Sequence, residues 1–275
     1  MASKRENKPP RDFVGSVRHV LDVLKSFDAD HPQMTLSLVS ERTGMTRAGA
    51  RRYLLTLEHL GYIRKDDRQF RLTARVLELG FAFLSTMPLS EVARPYLQRI
   101  TSETGEITGL AVLDQSDIVH IAGSTVERML HPTLTIGRRF NALYASSGRA
   151  IAAFLEPPQV EDILKACEIV ALTPQSLKTK EEIRAELKTI RRQGYAVVDQ
   201  EVEGGVRSIA VPVLNRQGAP LAAVTVLTNV ATVSKKQLVE EILPVLQRIV
   251  PEIPIQALST GQSARPSEKQ RSAGQ

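Results

Sequence analysis

The sequence predicts an α+β protein in two parts: an N-terminal winged helix-turn-helix, and a larger domain in which helices flank an antiparallel sheet. Two observations carry this prediction. Residues 13–75 show short amphipathic helices separated by a tight turn and followed by a hairpin pattern. Residues 88–254 show strands joined by short turns and interleaved with amphipathic helices. Strand hairpins of this kind argue against a doubly wound parallel fold.

Length and composition agree with two folded domains. The chain has 275 residues, 42% of them hydrophobic, which is enough for substantial cores. No stretch approaches the roughly 20 apolar residues that span a bilayer, and the start MASKRENKPPRD carries no apolar signal segment, so we expect a cytoplasmic protein without a membrane partner. Residues 1–12 and 255–275 are polar and are predicted to be a disordered leader and tail.

The basic charge of the chain lies in its first quarter. Residues 1–75 hold 15 Lys and Arg against 9 Asp and Glu, a net charge of +6, whereas residues 76–275 hold 21 of each. A basic module beside a neutral one is typical of proteins whose N-terminal part meets a polyanion. Charge alone leaves an ordinary solvated surface equally possible, so the prediction of nucleic-acid binding depends on the order of the elements.

The elements of the N-terminal domain follow from helical spacing and stop residues. SVRHVLDVLKSF has apolar residues at helical spacing, and DADHPQ ends that helix. TLSLVSERTG is a second helix, which Gly44 ends, and Thr46 can cap a third helix that stops before Gly61. GYIRKDDRQFRLT predicts two strands around a turn at Asp66-Asp67.

One side of the third helix is predicted to face DNA. Ala50, Leu54 and Leu57 fall on the opposite side and should pack against the first two helices. Three arginines near the helix N-terminus occupy the place from which recognition helices reach base edges, and arginine can bind guanine with two donors. The predicted DNA contacts on this helix and its cap are Thr46, Arg47, Ala48, Arg51 and Arg52.

The hairpin carries four further basic residues that we predict to contact phosphates. They are Arg64, Lys65, Arg68 and Arg71. Phosphate contacts position a protein on DNA and make its affinity fall with salt. The two aspartates at the turn are unfavourable for phosphate approach, so the tip of the hairpin is expected to project into solvent.

RVLELGFAFLS belongs to a predicted linker helix over residues 76–87 and is apolar nearly all round. Such a helix must be covered on more than one side. Two interpretations are open: a second copy of the chain covers it, with Phe81 and Leu84 in the seam, or the two domains of one chain hold it between them. Dimerisation is favoured, because helix-turn-helix proteins commonly bind paired half-sites.

The domain over residues 88–254 is predicted from strand alternation and turns. The helix SEVARPYLQRITSETG precedes the strands ITGLAVLD and DIVHIAG, with LHPTLTIG as a third strand. YASSGRAIAAFL runs from a loop into a helix, and the helices PPQVEDILKAC and KEEIRAELKTIRRQG follow. GYAVVD, VRSIAVPVLN and PLAAVTVL are three more predicted strands, before a last helix in KKQLVEEILPVLQRIV.

Three segments resemble the isocitrate lyase regulator (IclR) family of transcriptional regulators. RRYLLTLEHLGYIRKDDRQFRLTARVLELG is similar to its winged-helix and linker segment, and GYAVVDQEVEGGVRSIAVPVLNRQGAPLAAVTV to its effector-domain signature. YASSGRA resembles its small-residue loop. The resemblance spans about residues 13–250 and is nearest to the branch that regulates protocatechuate and 4-hydroxybenzoate breakdown. Gly123 and Ser147 depart from that branch, which usually has an arginine-containing segment and a bulkier residue there.

The resemblance implies a GAF-like effector-binding domain, a double-stranded DNA operator, and a dimer or dimer of dimers with one small organic acid in each effector domain. The positions that match the family's pocket are Ser146, Ser147, Ser208, Thr225 and Glu201.

Local chemistry agrees with an anionic ligand beside the two serines. Ser146 and Ser147 precede RAIAAFL, whose first N–H groups would favour a carboxylate. Arg138, Arg139 or Arg149 could add a charge-assisted hydrogen bond. For the serines the alternative is a plain helix cap without a ligand, and for Glu201 it is a solvated loop.

We therefore predict a DNA-binding regulator that a small aromatic carboxylate controls and that activates an aromatic-acid catabolic operon. A ligand-relieved repressor and a non-sensing architectural DNA-binding protein are the alternatives. The five histidines have no metal-binding spacing, and no nucleophile elbow, phosphate-cradling loop or dinucleotide fingerprint occurs. An enzyme, a metal and a cofactor are therefore not predicted, and Cys167, the only cysteine, is expected in the core.

Overall fold

The computed structural model describes residues 10–85, 88–125 and 134–255. Contacts divide the chain into two compact units, Met1–Phe83 and Leu84–Gln275. Most of the predicted disordered leader and tail lies outside the described residues. The finer boundaries of the leader, linker and tail stay predictions.

The first unit has the predicted helices and hairpin, with one additional strand. Its elements are α1 Gly15–Lys25, β1 Gln33–Thr35, α2 Leu36–Thr43, α3 Arg47–His59, β2 Ile63–Asp66 and β3 Gln69–Leu72. The strands form an antiparallel sheet in the order β1-β3-β2. The strand β1 was not predicted, because three residues are too few for a period of two to be recognised.

The helix-turn-helix depends on two residues between α2 and α3. Gly44 has φ 68°, a left-handed conformation that glycine adopts without a steric penalty. Two residues later the hydroxyl of Thr46 accepts a hydrogen bond from Gly49 N at 3.1 Å and caps α3. Side chains from the helices and the sheet then meet in one core that includes Val23, Met34, Val39, Ala50, Leu54, Leu57 and Phe70.

The linker begins with a 3-10 turn at Ala74–Val76 and continues as α4, Leu77–Ser85. The predicted linker helix extends to residue 87, and residues 86–87 lie outside the described part of the chain. No single helix within that part is long and apolar enough to cross a membrane. The pair Ala74–Phe83 and Pro88–Thr104 has that length and composition only when the two helices are taken together across a break.

The second unit is built on a six-stranded antiparallel sheet in the order β6-β5-β4-β9-β8-β7. Its strands are β4 Ile107–Asp114, β5 Asp117–Ser124, β6 Arg139–Asn141, β7 Ala196–Asp199, β8 Val206–Leu214 and β9 Pro220–Asn229. Its helices are α5 Pro88–Thr104, α6 Ser146–Ala152, α7 Pro157–Ala166, α8 Lys180–Gln193, α9 Lys235–Gln237 and α10 Leu243–Ile249, with a π-helical turn at Leu238–Ile242 and a final 3-10 turn at Val250–Glu252. The α+β prediction is confirmed.

The predicted strand over LHPTLTIG is wrong where the structure describes it. Residues 130–133 lie outside the described chain, and residues 136–137 form a turn. Gly137 has φ 82°, and its N–H donates to His120 O at 2.8 Å. The strand β6 begins only at Arg139, two residues after the end of the predicted strand, and its Asn141 pairs with Asp117 of β5.

The sheet separates two cores. The first contains residues of α5 and the C-terminal helices, and the second residues of α6, α7 and α8. Gly148 allows α6 to approach the chain before it, because a Cβ at this position would lie 2.1 Å from Ala142 O. Cys167 is buried in the second core, as predicted.

Candidate nucleic-acid interface and ligand cavity

The N-terminal half of α3 presents an exposed basic surface. Arg47, Ala48, Arg51 and Arg52 are all exposed, whereas the apolar side of the helix is buried. None of these three guanidinium groups has an ion-pair or hydrogen-bond partner within the described chain. The helical wheel therefore separated the two sides of α3 correctly, and the structure leaves the arginines available to a polyanion.

Thr46 lies at the start of this surface and also has a structural task. Its Oγ1 accepts the Gly49 N–H, while its own hydroxyl proton stays available for donation. The cap orders the first turn of α3, which carries Arg47 and Ala48.

The wing is the hairpin of β2 and β3, and two of its four predicted phosphate-binding residues form ion pairs within it. Arg64 Nε and Arg71 Nε donate to the two carboxylate oxygens of Asp66 at 3.0 and 2.8 Å. Desolvation opposes ionisation of this carboxyl, but Arg71 and Arg64 outweigh it and leave the pKa of Asp66 below its ordinary value. Arg64 and Arg71 are therefore paired with Asp66, while Lys65 and Arg68 are exposed.

The second unit contains a cavity between α6 and the sheet. The space between atoms there, which includes solvent at its open mouth, is about 580 Å³. Four of the five predicted pocket residues line it: Ser146, Ser147, Ser208 and Thr225. Its apolar walls are Leu134, Phe140, Val198, Val202, Val206 and Leu227. A small site with aliphatic and aromatic walls and a few hydroxyls suits a small organic molecule.

The four hydroxyls are not equivalent. Ser146 Oγ lies 3.0 Å from Thr225 Oγ1, and Thr225 Oγ1 in turn donates to Ile209 O at 3.1 Å. Ser147 and Ser208 are buried, line the cavity, and have no hydrogen-bond partner for their hydroxyls among the described residues. They are therefore the two hydroxyls best placed to donate to a bound molecule.

The alternative that these serines merely cap a helix does not agree with the geometry. The N-cap of α6 is Ala145, and no side chain caps the helix. With only seven residues, α6 also has a weaker dipole than the sequence argument assumed, since the dipole is the sum of aligned peptide units.

Glu201 was predicted to be a pocket residue, but the structure places it outside the cavity lining. Its carboxylate instead accepts hydrogen bonds from Arg149 Nη1 at 2.9 Å, from Arg149 Nη2 at 2.6 Å and from Leu177 N at 3.4 Å. Arg149 is 1% exposed, and its Nε donates to Leu143 O at 2.7 Å. The pair joins α6 to the loop between β7 and β8, which carries the cavity residues Val202 and Glu203.

Among the described residues, no arginine or lysine lines the cavity. Arg149 is paired with Glu201, and Arg139 is paired with Asp114 and Asp117 at 2.6 and 3.2 Å. The guanidinium of Arg138 lies 4.6 Å from the ring centroid of Phe140. Of the described residues, only neutral donors could therefore bind a carboxylate in this cavity, and the three arginines that the sequence suggested as partners do not line it.

His120 is a cavity residue that the sequence analysis missed. It lies on β5 and is 3% exposed, and neither ring nitrogen has a hydrogen-bond partner within the described chain. Burial, followed by the charge of Arg138, lowers the pKa of His120 to about 4, so the ring is neutral at physiological pH. Alternation along DIVHIAG could have placed it on one face of a strand, but not against a cavity.

Comparison with known protein families divides the chain into an N-terminal and a C-terminal domain, as the contacts do. The family model for the IclR helix-turn-helix domain matches residues 16–67, and that for the bacterial transcriptional regulator IclR C-terminal domain matches residues 81–254. The Pca regulon regulatory protein of Pseudomonas putida is 39% identical over 236 residues, 86% of this chain and 81% of that protein. The p-hydroxybenzoate hydroxylase transcriptional activator of Acinetobacter baylyi is 30% identical, over 88% of this chain and 91% of that protein.

Solved structures share the fold. A putative transcriptional regulator from Rhodococcus sp. RHA1 superposes with a TM-score of 0.79 at 37% identity, covering 90% of this chain and 99% of that one. An IclR homolog from Microbacterium hydrocarbonoxydans, complexed with 4-hydroxybenzoate, has a TM-score of 0.74 at 22% identity and covers 86% of this chain and 97% of that one. At that identity the second likeness concerns the fold alone.

Proposed function

Because the chain belongs to the IclR family of transcriptional regulators, we propose that it binds an operator through α3 and the wing, and that a small aromatic carboxylate in the cavity controls this binding. Its relatives are regulators of transcription and not enzymes. The observation that carries the proposal is the cavity itself, in which two unpaired serine hydroxyls face apolar walls.

The composition of the cavity supports an aromatic acid. Phe140 and the aliphatic side chains offer the apolar contact that a ring needs. Ser147 and Ser208 offer two donors, and a carboxylate has only acceptors. The name of one relative points the same way, since it is a transcriptional activator of p-hydroxybenzoate hydroxylase, an enzyme that acts on an aromatic acid.

Calorimetric titration of the full chain with 4-hydroxybenzoate and protocatechuate tests this assignment. At least one acid should bind, and Ser147→Leu and Ser208→Leu should each weaken the binding, because the larger side chain removes a donor and fills the cavity. Ser102→Leu, on the exposed side of α5, serves as the control and should leave the affinity unchanged. If both cavity variants retain the wild-type affinity, the ligand binds elsewhere.

On the DNA side, α3 supplies the base contacts and the wing supplies phosphate contacts. The three arginines of α3 are exposed and without partners among the described residues, which supports contact with base edges. Lys65 and Arg68 are the wing cations that we assign to phosphates, with Arg64 and Arg71 shared with Asp66. The regulator is proposed to act in the cytoplasm as an activator of an aromatic-acid catabolic operon, as the named Acinetobacter activator does for its hydroxylase.

The linker helix is proposed to form a dimer interface. Leu77 and Phe81 are 73% and 70% exposed, and Leu79 and Phe83 are about half exposed. These four large apolar side chains lie on one nine-residue helix. A monomeric protein rarely exposes apolar side chains in such a cluster, and a cluster of this kind usually marks an interaction surface. A second copy of the chain would cover them and would also present two recognition helices to paired half-sites.

Replacing Phe81 with Glu should therefore shift the chain to monomers, because it puts a charge into an apolar seam. Light scattering measures the assembly directly. Leu172→Glu alters an exposed apolar side chain, 49% accessible, that lies outside the linker, and it should leave the assembly unchanged. A Phe81→Glu protein with the wild-type mass would place the interface elsewhere.

A further inference from the structure

His120 is an unusual polar group among the described residues of the second unit. Buried polar groups in proteins almost always have a hydrogen-bond partner, and an exception needs an explanation. Both nitrogens of this ring are buried and unpartnered within the described chain, and the ring lines the same cavity as Ser147 and Ser208. An apolar side chain would fill the same space at a lower desolvation cost.

The chemistry of the ring limits what it can recognise. A neutral imidazole has one N–H donor and one nitrogen that only accepts. A carboxylate has only acceptors, so it could pair only with the nitrogen that carries the proton. A hydroxyl group can both donate and accept, so it suits either nitrogen.

The strand order separates the ring from the hydroxyl pair. His120 lies on β5 and Ser208 on β8, with β4 and β9 between them. His120 is in register with Ala111, Ala223 and Pro212, and Pro212 lies four residues from Ser208 along β8. With neighbouring strands about 4.8 Å apart and about 3.4 Å between residues, the two backbone positions lie roughly 20 Å apart. One aromatic ring with a polar group at each end, plus a hydrogen bond of about 3 Å on either side, covers much of this distance, and the side chains of His120 and Ser208 extend into the cavity from its two ends.

We propose that His120 recognises a hydroxyl group on the effector ring, on the side opposite a carboxylate that Ser147 and Ser208 bind. The proposal rests on the effector cavity assigned above and adds to it the part of the ligand that His120 selects. Hydroxylated aromatic acids are then preferred over the same acids without the hydroxyl, because binding of the unsubstituted acid leaves the buried ring unpaired.

Calorimetric titration of the full chain with 4-hydroxybenzoate and with benzoate tests this assignment. The wild-type chain should bind 4-hydroxybenzoate about tenfold to a hundredfold more tightly, as expected for a hydrogen bond to a buried group. His120→Phe should abolish this preference while benzoate still binds, which also shows that the cavity is intact. His120→Gln keeps a donor and an acceptor and should retain part of the preference.

Each other outcome contradicts a specific part of the assignment. Equal binding of the two acids by the wild-type chain, or an unchanged preference in His120→Phe, overturns the role of His120 and leaves the proposed cavity standing. Failure of both acids to bind the wild-type chain overturns the aromatic effector itself, and hydroxyl recognition with it. If His120→Phe does not fold, His120→Gln and the wild-type comparison decide the question.

Discussion

Replacing Glu201 with Gln should lower the free energy of unfolding by about 3–5 kcal/mol, the usual cost of leaving a buried charge without its partner. Glu201 accepts two hydrogen bonds from Arg149, whose side chain is 2% exposed. The variant keeps the shape of the residue but removes the counter-charge from this guanidinium. Urea denaturation of the full chain, followed through the transition of the second unit, measures the loss.

Two controls separate the ion pair from general damage. The double variant Arg149→Met, Glu201→Gln removes both charges and should recover much of the stability, because no buried charge is then left without its partner. Glu161→Gln breaks the exposed pair with Arg184 and should have a much smaller effect, as surface pairs do. Equal losses in Glu201→Gln and Glu161→Gln would mean that burial of the Arg149–Glu201 pair does not matter.

The Arg51→Ala variant should lose about 1–3 kcal/mol of binding energy on its cognate operator, or about 5- to 150-fold in affinity, and should tolerate more bases at one position. Arg51 is exposed on α3 opposite the buried residues, and no described residue pairs with it. Fluorescence anisotropy on a duplex selected from a random pool by the full chain measures this change.

A control variant and a control duplex show whether Arg51 contacts a base. Arg192→Ala removes an equally exposed helical arginine of the second unit and should leave operator binding unchanged. An equal loss for Arg51→Ala on random DNA would make Arg51 a phosphate contact instead of a base contact. Wild-type affinity on both duplexes would remove α3 from the interface.

Local patterns predicted the elements whose signals are local. The helices of the first unit, the Gly44 turn and the Thr46 cap depend on neighbours within a few residues, and these were predicted correctly. The strands β1 and β6 have three residues each, and their pairing partners, not their own pattern, define them.

Some of the cavity residues could be predicted from the sequence and others could not. The small-residue loop and the two matching strands led to four cavity residues through the family resemblance, and the structure brings these together. Glu201 was misplaced because its partner, Arg149, lies 52 positions away along the chain. His120 was missed because a lone histidine on a strand has no sequence pattern that distinguishes a cavity from an ordinary core.

The central claim is that one small acid in the cavity controls how the chain binds DNA. The most direct test is the affinity of the full chain for its selected duplex with and without saturating 4-hydroxybenzoate. Coupling between two sites is typically about 1–3 kcal/mol, so the affinity should change about 5- to 150-fold, and the duplex should change the affinity for the acid by the same factor. An acid that binds in the cavity but leaves the DNA affinity unchanged would contradict the claim.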